Sequence, residues 1–596
     1  MPDTLIESAA PITVAARQDR LPGKALLGLF LAGFIGILTE CLRAGLLLGM
    51  SRTLGTSATL TGQTVTLRAR HCAGRHPPAR TCPGPSEVRR RRAVTPVSGQ
   101  CRVGRSPAAA VVTPGPVAFA PGKASRKSQE QEQEQEKEQI MSFRTVNPAT
   151  GELVKEFPQQ SDEEVFAALA TADRLYREDW RFRPVAERAR IVARAARILR
   201  EKRDEYVEYL TLEMGKVTRF GYFEVDLVAD ILDYYAAHAE EFLAERSLPG
   251  EPGAKLTAEP IGVILAIEPW NFPYYQLARV AASQLVAGNV VMLKHAESVP
   301  QCALAFARLL EEAGAPEGAY TNLFCGIEQI AGLIDDFRVR GVTLTGSERA
   351  GTSVGERAGR NLKKAVLELG GSDPALILEG APLAHAVEQV VLGRIYNSGQ
   401  GCVNIKRVIV VGRERGEEML AALKERFAAI RVGEPKDEDT LVGPVSSERA
   451  LDVLLRQIEA AKAAGARIVH GGYRVDRPGF FLEPTIVTDI GPDNPLYQDE
   501  AFGPVLSFYV VDSEEEAIEL ANATRFGLGG YVFDADVEHA RQVASRIEAG
   551  MVYINSCFAD SPSLPFGGVK NSGFGRELSE LGIGEFLNRK LVRVAP

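Results

Sequence analysis

Apolar and polar positions change their rhythm three times along the 596-residue chain. Near the start, Ala25 to Thr39 form an uncharged run, ALLGLFLAGFIGILT. It falls short of the roughly 20 residues that span a bilayer. Extension to Met50 reaches that length but takes in Glu40 and Arg43. No small-residue cleavage site of the secretory kind follows it. From 162 to 248 the period becomes helical, as in VAERARIVARAARILREKRDEYVEYL. Short apolar runs then alternate with helical segments. IGVILAI (261–267) precedes a helix over 275–288, and VVMLK (290–294) precedes one that starts after Ser298-Val299-Pro300. TNLF (321–324) precedes 327–336, and VRGVTLTG (339–346) precedes 349–360. Uninterrupted apolar strands followed by helices predict a doubly wound parallel sheet with both faces covered. PALIL (374–378), helical 382–397, RVIVV (407–411) and helical 415–430 begin a second α/β series. LSFYVV (506–511), GYVF (530–533) and MVYIN (551–555) continue it. Two α/β lobes are therefore expected, with a ligand cleft between them.

Charge divides the chain at the same place as the pattern. Residues 1–140 carry 19 Lys and Arg against 10 Asp and Glu, a net of +9, and the remainder carries 50 against 67, a net of −17. Within the first part, 68–127 holds thirteen basic residues and the single acid Glu87, and 128–139 is the tract SQEQEQEQEKEQ. Neither has the apolar content for a core, so this extension is expected to be disordered. Over about 35 residues around ALLGLFLAGFIGILTECLRAGLLLGM it resembles the first helix of a major-facilitator transporter. One reading makes it a membrane tether with a basic arm. The other, which the sharp break in composition favours, places the natural start at Met141. Membrane attachment is expected only if the extension belongs to the protein. The acidic remainder has no basic face for DNA or RNA, so no nucleic-acid partner is expected. Cys302, Cys325, Cys402 and Cys557 are spread through it without C-x-x-C spacing, which fits a reducing cytoplasm and no metal site.

No G-x-G-x-x-G or Walker motif occurs. The nearest substitute is the turn Thr345-Gly346-Ser347-Glu348-Arg349-Ala350-Gly351, which leads from strand to helix and would aim free N–H groups at a phosphate. Four other segments carry chemistry. Glu268-Pro269-Trp270-Asn271-Phe272-Pro273 ends a strand in a loop of fixed shape with one good amide donor. Leu367-Glu368-Leu369-Gly370-Gly371 sets one acid in an apolar run. Asn397-Ser398-Gly399-Gln400-Gly401-Cys402 brings a cysteine in after glycines, and Glu500-Ala501-Phe502-Gly503-Pro504 pairs an acid with an aromatic. Each has an ordinary structural explanation by itself: a buried thiol, a paired acid, a turn-forming amide, a core ring.

Taken together, PWNFP, LELGG, GQGC, EAFGP and the closing PFGGVKNSGFGRE (565–577) resemble the NAD(P)-dependent aldehyde dehydrogenase superfamily in order and spacing, over about 143–596. KHAES (294–298), LELGGSDP (367–374) and KNSGFGREL (570–578) are most similar to its NAD-type succinate-semialdehyde dehydrogenases. The resemblance implies Cys402 as the nucleophile that forms a thiohemiacetal and then a thioester. It implies Asn271 as the oxyanion donor and Glu368 as the base that activates water. It implies cofactor contacts from Trp270, Lys294, Glu297, Gly346, Ser347, Gly351, Glu500 and Phe502. An acid at Glu297 would accept from a ribose 2′-hydroxyl and repel a 2′-phosphate, so NAD is expected over NADP.

Arg279 and Ser561 are the implied substrate contacts. Arg279 could clamp the distal carboxylate of succinate semialdehyde, or it could be a surface residue of the helix from Tyr275. Tyr396 stands where some relatives carry a second carboxylate-binding Arg, and Gly401 is expected to loosen the loop before the nucleophile. Glutarate semialdehyde, a neutral aldehyde, and a catalytically silent dinucleotide-binding relative remain the alternatives. The implied organisation is an extension over 1–140 and an NAD-binding domain over 141–370, with 242–260 serving oligomerisation. A catalytic domain over 371–572 and a C-terminal segment over 573–596 follow. The strand Lys590–Val594 is expected to join a neighbouring subunit in a homodimer or homotetramer.

Overall fold

The computed structural model describes residues 143–557 and 561–595. The expectations for 25–50, 68–127 and 128–139 lie outside these residues. Among the described residues no helix is long and apolar enough to cross a membrane.

The helical stretch resolves into α1 (Asp162–Glu178), α2 (Val185–Glu201), α3 (Arg203–Met214) and α4 (Thr218–Phe242). Ser161 opens α1 by accepting from the Glu164 amide while the Glu164 side chain reaches back to the Ser161 N–H. Gly215, in the left-handed region at φ 70°, closes α3. The helices that come next are α5 (Tyr275–Ala287), α6 (Pro300–Ala313), α7 (Ile327–Asp335), α8 (Glu348–Arg360) and α9 (Leu383–Ile395). Every residue of α5 is buried, so it is a core helix rather than an amphipathic one. Pro300 takes the first position of α6, but Val299 precedes it as the cap and supplies no side-chain bond, so Ser298 does not have the capping role that its place suggested.

The principal strands are β1 (Ala254–Pro260), β2 (Val263–Glu268), β3 (Val290–His295), β4 (Tyr320–Leu323), β5 (Val339–Thr345) and β6 (Lys364–Glu368). After them come β7 (Pro374–Ile377), β8 (Arg407–Val411), β9 (Arg467–His470), β10 (Thr485–Thr488) and β11 (Val505–Val511). The last are β12 (Gly529–Phe533), β13 (Met551–Ile554), β14 (Gly573–Phe574) and β15 (Leu587–Arg593). One sheet has the order β14-β6-β5-β2-β3-β4 and is parallel except for β14. A second has the order β9-β10-β11-β8-β7-β12-β13 and is parallel except for β9. Both expected parallel sheets are therefore present. In the second, alternate residues feed two separate cores: Leu376 and Ile409 pack on one face, Ala375, Val408 and Val410 on the other. Burial on both faces is why these strands read as unbroken apolar runs.

The chain returns to the first sheet at its end, where Gly573 and Phe574 pair antiparallel with Glu368 and Leu367. The C-terminal strand begins three residues before its expected start and pairs along its whole length with β1, from Leu587↔Pro260 to Arg593↔Ala254. Arg246–Ser247 lies beyond β1, so β15 is the outer strand of a three-stranded sheet.

Candidate active site

The approach to Cys402 is a strained run. Asn397, Ser398 and Gly399 succeed one another in the left-handed region at φ 56°, 53° and 76°. Gly401 does not loosen the loop next to the thiol. A Cβ there would lie 1.8 Å from Asn404 Oδ1, and the Asn404 amide is itself held by donation to the carbonyls of Gly393 at 3.0 Å and Tyr396 at 2.9 Å. The space before the thiol is filled rather than free. The two glycines of the LELGG segment have an equally local reason. A Cβ on Gly370 would lie 2.5 Å from Glu500 Oε2, and one on Gly371 would lie 2.6 Å from the Cys402 carbonyl oxygen. Their hydrogens let three distant segments meet.

Lys406 binds those segments together. Its Nζ donates to the carbonyls of Gly401 at 2.9 Å and Cys402 at 2.5 Å, and pairs with Glu500 Oε1 at 3.0 Å. Glu500 Oε1 also accepts from the Gly371 N–H at 3.2 Å. Burial pushes the Cys402 thiol up to about 12, while Lys406 and Arg279 pull the other way. Two cations thus oppose the desolvation that keeps the sulfur protonated at rest.

Cys402 borders two cavities. The larger is lined by Trp270, Asn271, Gly346, Ser347, Glu500 and Phe502, among others. Trp270 and Phe502 meet there edge to face at 5.7 Å. Ser347 caps α8, its hydroxyl accepting from the Ala350 N–H at 3.3 Å. The second cavity, much the tighter of the two, is lined by Phe272, Tyr275, Gln276, Arg279, Tyr396 and Phe566, with Glu224 and Val403. The carboxylate of Glu224 accepts from the N–H groups of Tyr274 and Tyr275, at 2.9 and 3.1 Å, and pairs with the fully buried Lys216. It therefore fixes the start of α5, from which Gln276 and Arg279 project.

Asn271 is buried, and its Nδ2 donates to the Gln400 carbonyl at 3.0 Å, two residues before the thiol. Arg279 is not on the surface: it is 1% exposed. Its Nε lies 2.7 Å from Glu577 Oε2, and its Nη2 donates to Thr345 Oγ1 at 3.1 Å and to Gln276 Oε1. The guanidinium lies 4.9 Å from the Tyr275 ring centroid and 4.5 Å from that of Phe566. Its Nη1 is buried with no hydrogen-bond partner. Glu368 ends β6, and neither carboxyl oxygen has a hydrogen-bond partner. Its carboxyl lies against Gly567, where a Cβ would come within 2.8 Å of Oε1, and it lines neither cavity. Burial first, then the charge of Glu577, raises its pKa well above the usual carboxylate range, against the pull of Arg279 and Arg576.

The remaining expected residues stand apart from the thiol. Lys294 pairs with Glu297 on β3 and the turn after it, and neither lines the cavities at Cys402. Gly351 is a packing contact, since a Cβ there would lie 2.5 Å from Leu369 side-chain atoms. Ser561 shares a hydrogen bond of 2.9 Å with Ser563 and also lies outside both cavities. Among the described residues no group of three or more His, Cys, Asp or Glu is placed to hold a metal.

Sequence reasoning missed Lys406, Gln276, Glu224 and Glu577. Only Lys406 carried a local signal, as a cation four residues after the cysteine. Glu224 and Glu577 act through partners far away in the chain, and Gln276 bridges two near neighbours, Arg279 and Asn271, in a way that only their folded placement reveals.

A thiol between two cations, an amide beside it and two cavities that meet at the sulfur form a site for adding sulfur to a carbonyl next to a bound second molecule. The sequence pattern of the aldehyde dehydrogenase family matches residues 135–592, and the chain belongs to that family: it is an NAD(P)-dependent aldehyde dehydrogenase. It is 50% identical over 455 residues to the succinate-semialdehyde dehydrogenase [NADP(+)] of Deinococcus radiodurans, covering 76% of this chain and 95% of that one. It is 45% identical over 459 residues to succinate-semialdehyde dehydrogenase [NADP(+)] 1 of Mycobacterium tuberculosis, covering 76% and 100%. The crystal structure of succinic semialdehyde dehydrogenase from Streptococcus pyogenes in complex with NADP+ matches with a TM-score of 0.75 and 45% identity, again over 76% of this chain and all of that one.

These relatives correct the expected cofactor. The preference for NAD over NADP does not stand, because both enzymes are named for NADP(+) and the streptococcal structure contains it. That preference took Glu297 as a bare negative charge. Its carboxylate is in fact paired with the Lys294 ammonium, so it does not by itself exclude a 2′-phosphate.

Proposed function

We propose that the enzyme oxidises succinate semialdehyde to succinate, with Cys402 as nucleophile, Asn271 as oxyanion donor, Glu368 as general base and Arg279 as the group that receives the substrate carboxylate. The observation that carries this reading is the cavity shared by Cys402 and Arg279, in which the buried Nη1 still lacks a partner. A short aldehyde with a distal carboxylate suits such a cavity: aromatic rings enclose its carbons, and an unspent guanidinium donor receives its charge. The other cavity suits the dinucleotide. Trp270 and Phe502 offer ring faces, Glu500 offers acceptors to ribose hydroxyls, and Gly346–Ser347 opens the N-terminus of α8 toward phosphate. When bound, the dinucleotide supplies a hydride acceptor.

The chain's own groups do the rest. The Cys402 thiolate, favoured by Lys406 and Arg279, adds to the aldehyde carbon. The second Nδ2 hydrogen of Asn271 meets the oxygen that gains charge. After the hydride leaves, Glu368 takes a proton from water, which attacks the thioester, and the sulfur departs. A burial-raised pKa makes Glu368 a stronger base than an exposed carboxylate. Because its carboxyl now lies against Gly567, it reaches the thioester by side-chain rotation. We also infer two domains, 141–370 for the dinucleotide and 371–572 for catalysis. Association between copies would run through β15, an outer strand whose Leu591 is 58% exposed. Sedimentation velocity reads that association, and a monomer at micromolar concentration would refute it.

The substrate assignment is tested by kcat/KM for succinate semialdehyde, glutarate semialdehyde and propanal in wild type, Arg279→Lys and Arg279→Met. Both variants should lose about 10²-fold more on succinate semialdehyde than on propanal, whose smaller loss reads the general effect of Arg279 on the thiol and on Asn271. Equal losses on charged and neutral aldehydes would remove the carboxylate role.

A further inference from the structure

The hydrogen bonds behind Asn271 run in one direction. A guanidinium has donors and no acceptor. Arg279 Nη2 donates to Gln276 Oε1, which turns the oxygen of that amide toward the cation and its NH₂ group away. Gln276 Nε2 then donates to Asn271 Oδ1 at 3.4 Å. This places the Asn271 oxygen on the Gln276 side and its nitrogen on the other, where it donates to the Gln400 carbonyl at 3.0 Å. Two amides that could each sit either way round are oriented from one end by a cation, which Glu577 holds from behind at 2.7 Å, and from the other by the Gln400 carbonyl. Gln276 is 1% exposed, so bulk solvent does not reach it. It also lines the cavity that Arg279 and Cys402 share, while Asn271 lines the other.

We propose that Gln276 is a positioning residue that passes the polarity of Arg279 to Asn271, so that the group receiving the substrate's acid end also sets the aim of the amide at its aldehyde end. The inference rests on the roles proposed for Asn271 and Arg279. Its physical content is a sign. With the chain intact, an N–H faces the oxygen that gains charge on Cys402. With Asn271 reversed, a carbonyl oxygen would face it and repel it. Gln276 does not line the cavity assigned to the dinucleotide, and a double-mutant cycle separates an effect through Asn271 from one through the substrate.

A double-mutant cycle isolates that path. Gln276→Glu keeps the length and still meets Arg279, but as a carboxylate it has no hydrogen to give Asn271. Gln276→Met is neutral and of similar size, and serves in the same way should the acid disturb folding. The measurement is the pre-steady-state burst of reduced dinucleotide from succinate semialdehyde in wild type, Asn271→Ala, each Gln276 variant and the double variants. Asn271→Ala should slow the burst about 10²-fold or more, and the Gln276 variants about tenfold. In the Asn271→Ala background the Gln276 substitutions should cost less than about twofold. A Gln276 loss as large there as in wild type would overturn the proposal while leaving the role of Asn271 intact. An undiminished burst in Asn271→Ala would instead overturn the reading on which the proposal rests.

Discussion

The two cavities that meet at Cys402 are built on different plans. The larger is made of strand ends and turns: the loop after β2, the turn after β5, the glycines after β6 and the Glu500–Phe502 segment. Its polar residues are Asn271, Thr345 and Ser347 and one carboxylate, Glu500. The smaller is made of helix α5, the side of α4 and aromatic rings, with one buried cation. Each side has an ion pair, but of different depth. In Lys406–Glu500 the acid keeps 19% of its side-chain surface exposed, whereas in Arg279–Glu577 the two side chains retain 0% and 5%. Turns and strand ends suit a ligand recognised by hydrogen bonds along its length. A closed aromatic slot with a desolvated charge suits a short ligand recognised by shape and one ionic end. The sulfur lies between, and both cations act on it.

The largest expected effect comes from the atom the cavities share. Cys402→Ser should leave steady-state activity below about one thousandth of wild type. Quenching of Trp fluorescence by dinucleotide should persist, because only the junction has changed. Glu368→Gln should come next, giving one burst of reduced dinucleotide and then turnover lowered about 10²- to 10⁴-fold. The pH dependence has a definite sign. Burial and Glu577 raise the Glu368 pKa, and a protonated acid cannot take a proton from water. Turnover should therefore fall on acidification at a pH above the ~4.3 of an ordinary Glu, while the burst is spared. Parallel pH profiles for burst and turnover would contradict this. Lys406→Met removes one of the two cations that oppose desolvation of the thiol, so its pKa should rise further and alkylation by iodoacetamide at pH 8 should slow about tenfold. The smallest effects test the division itself. Phe502→Ala should raise KM for the dinucleotide roughly threefold to tenfold, and Phe566→Leu should raise KM for the aldehyde similarly, each leaving the other KM unchanged. If each raised both, the two-plan description would fail.

What the chain discloses before it is folded obeys the same physical division. Strands buried on both faces are continuous apolar runs, so β2, β3, β5, β7 and β8 were legible to within a few residues. β1 (AKLTAEP) was not, because most of it is only half-buried and its neighbours are β15 and a two-residue strand. The helix Glu448–Ala463 also went unseen, although Ser447 caps it and its buried residues have helical spacing, and β9 and β10 went unseen because each is only four residues long. Of the site, Cys402, Asn271 and Glu368 were visible only as a set of motifs, since each alone has an ordinary structural explanation. Lys406 showed its nearness to the cysteine but not its pairing, because Glu500 is remote in sequence. Arg279 showed its charge but not its burial: that depends on Glu577, Phe566 and Thr345, which reach it from two other parts of the chain.

The late return of β14 to the first sheet sets an order for assembly. Strand β6, which ends in Glu368, has β5 on one side and on the other only Gly573 and Phe574, about two hundred residues further on. During synthesis, a domain-sized first half can leave the ribosome and collapse long before that pairing exists. The acid's strand stays an open edge until the final stretch has been translated. A nascent chain stalled shortly before residue 573 would therefore hold its cysteine and its amide but leave its base on an unfinished border.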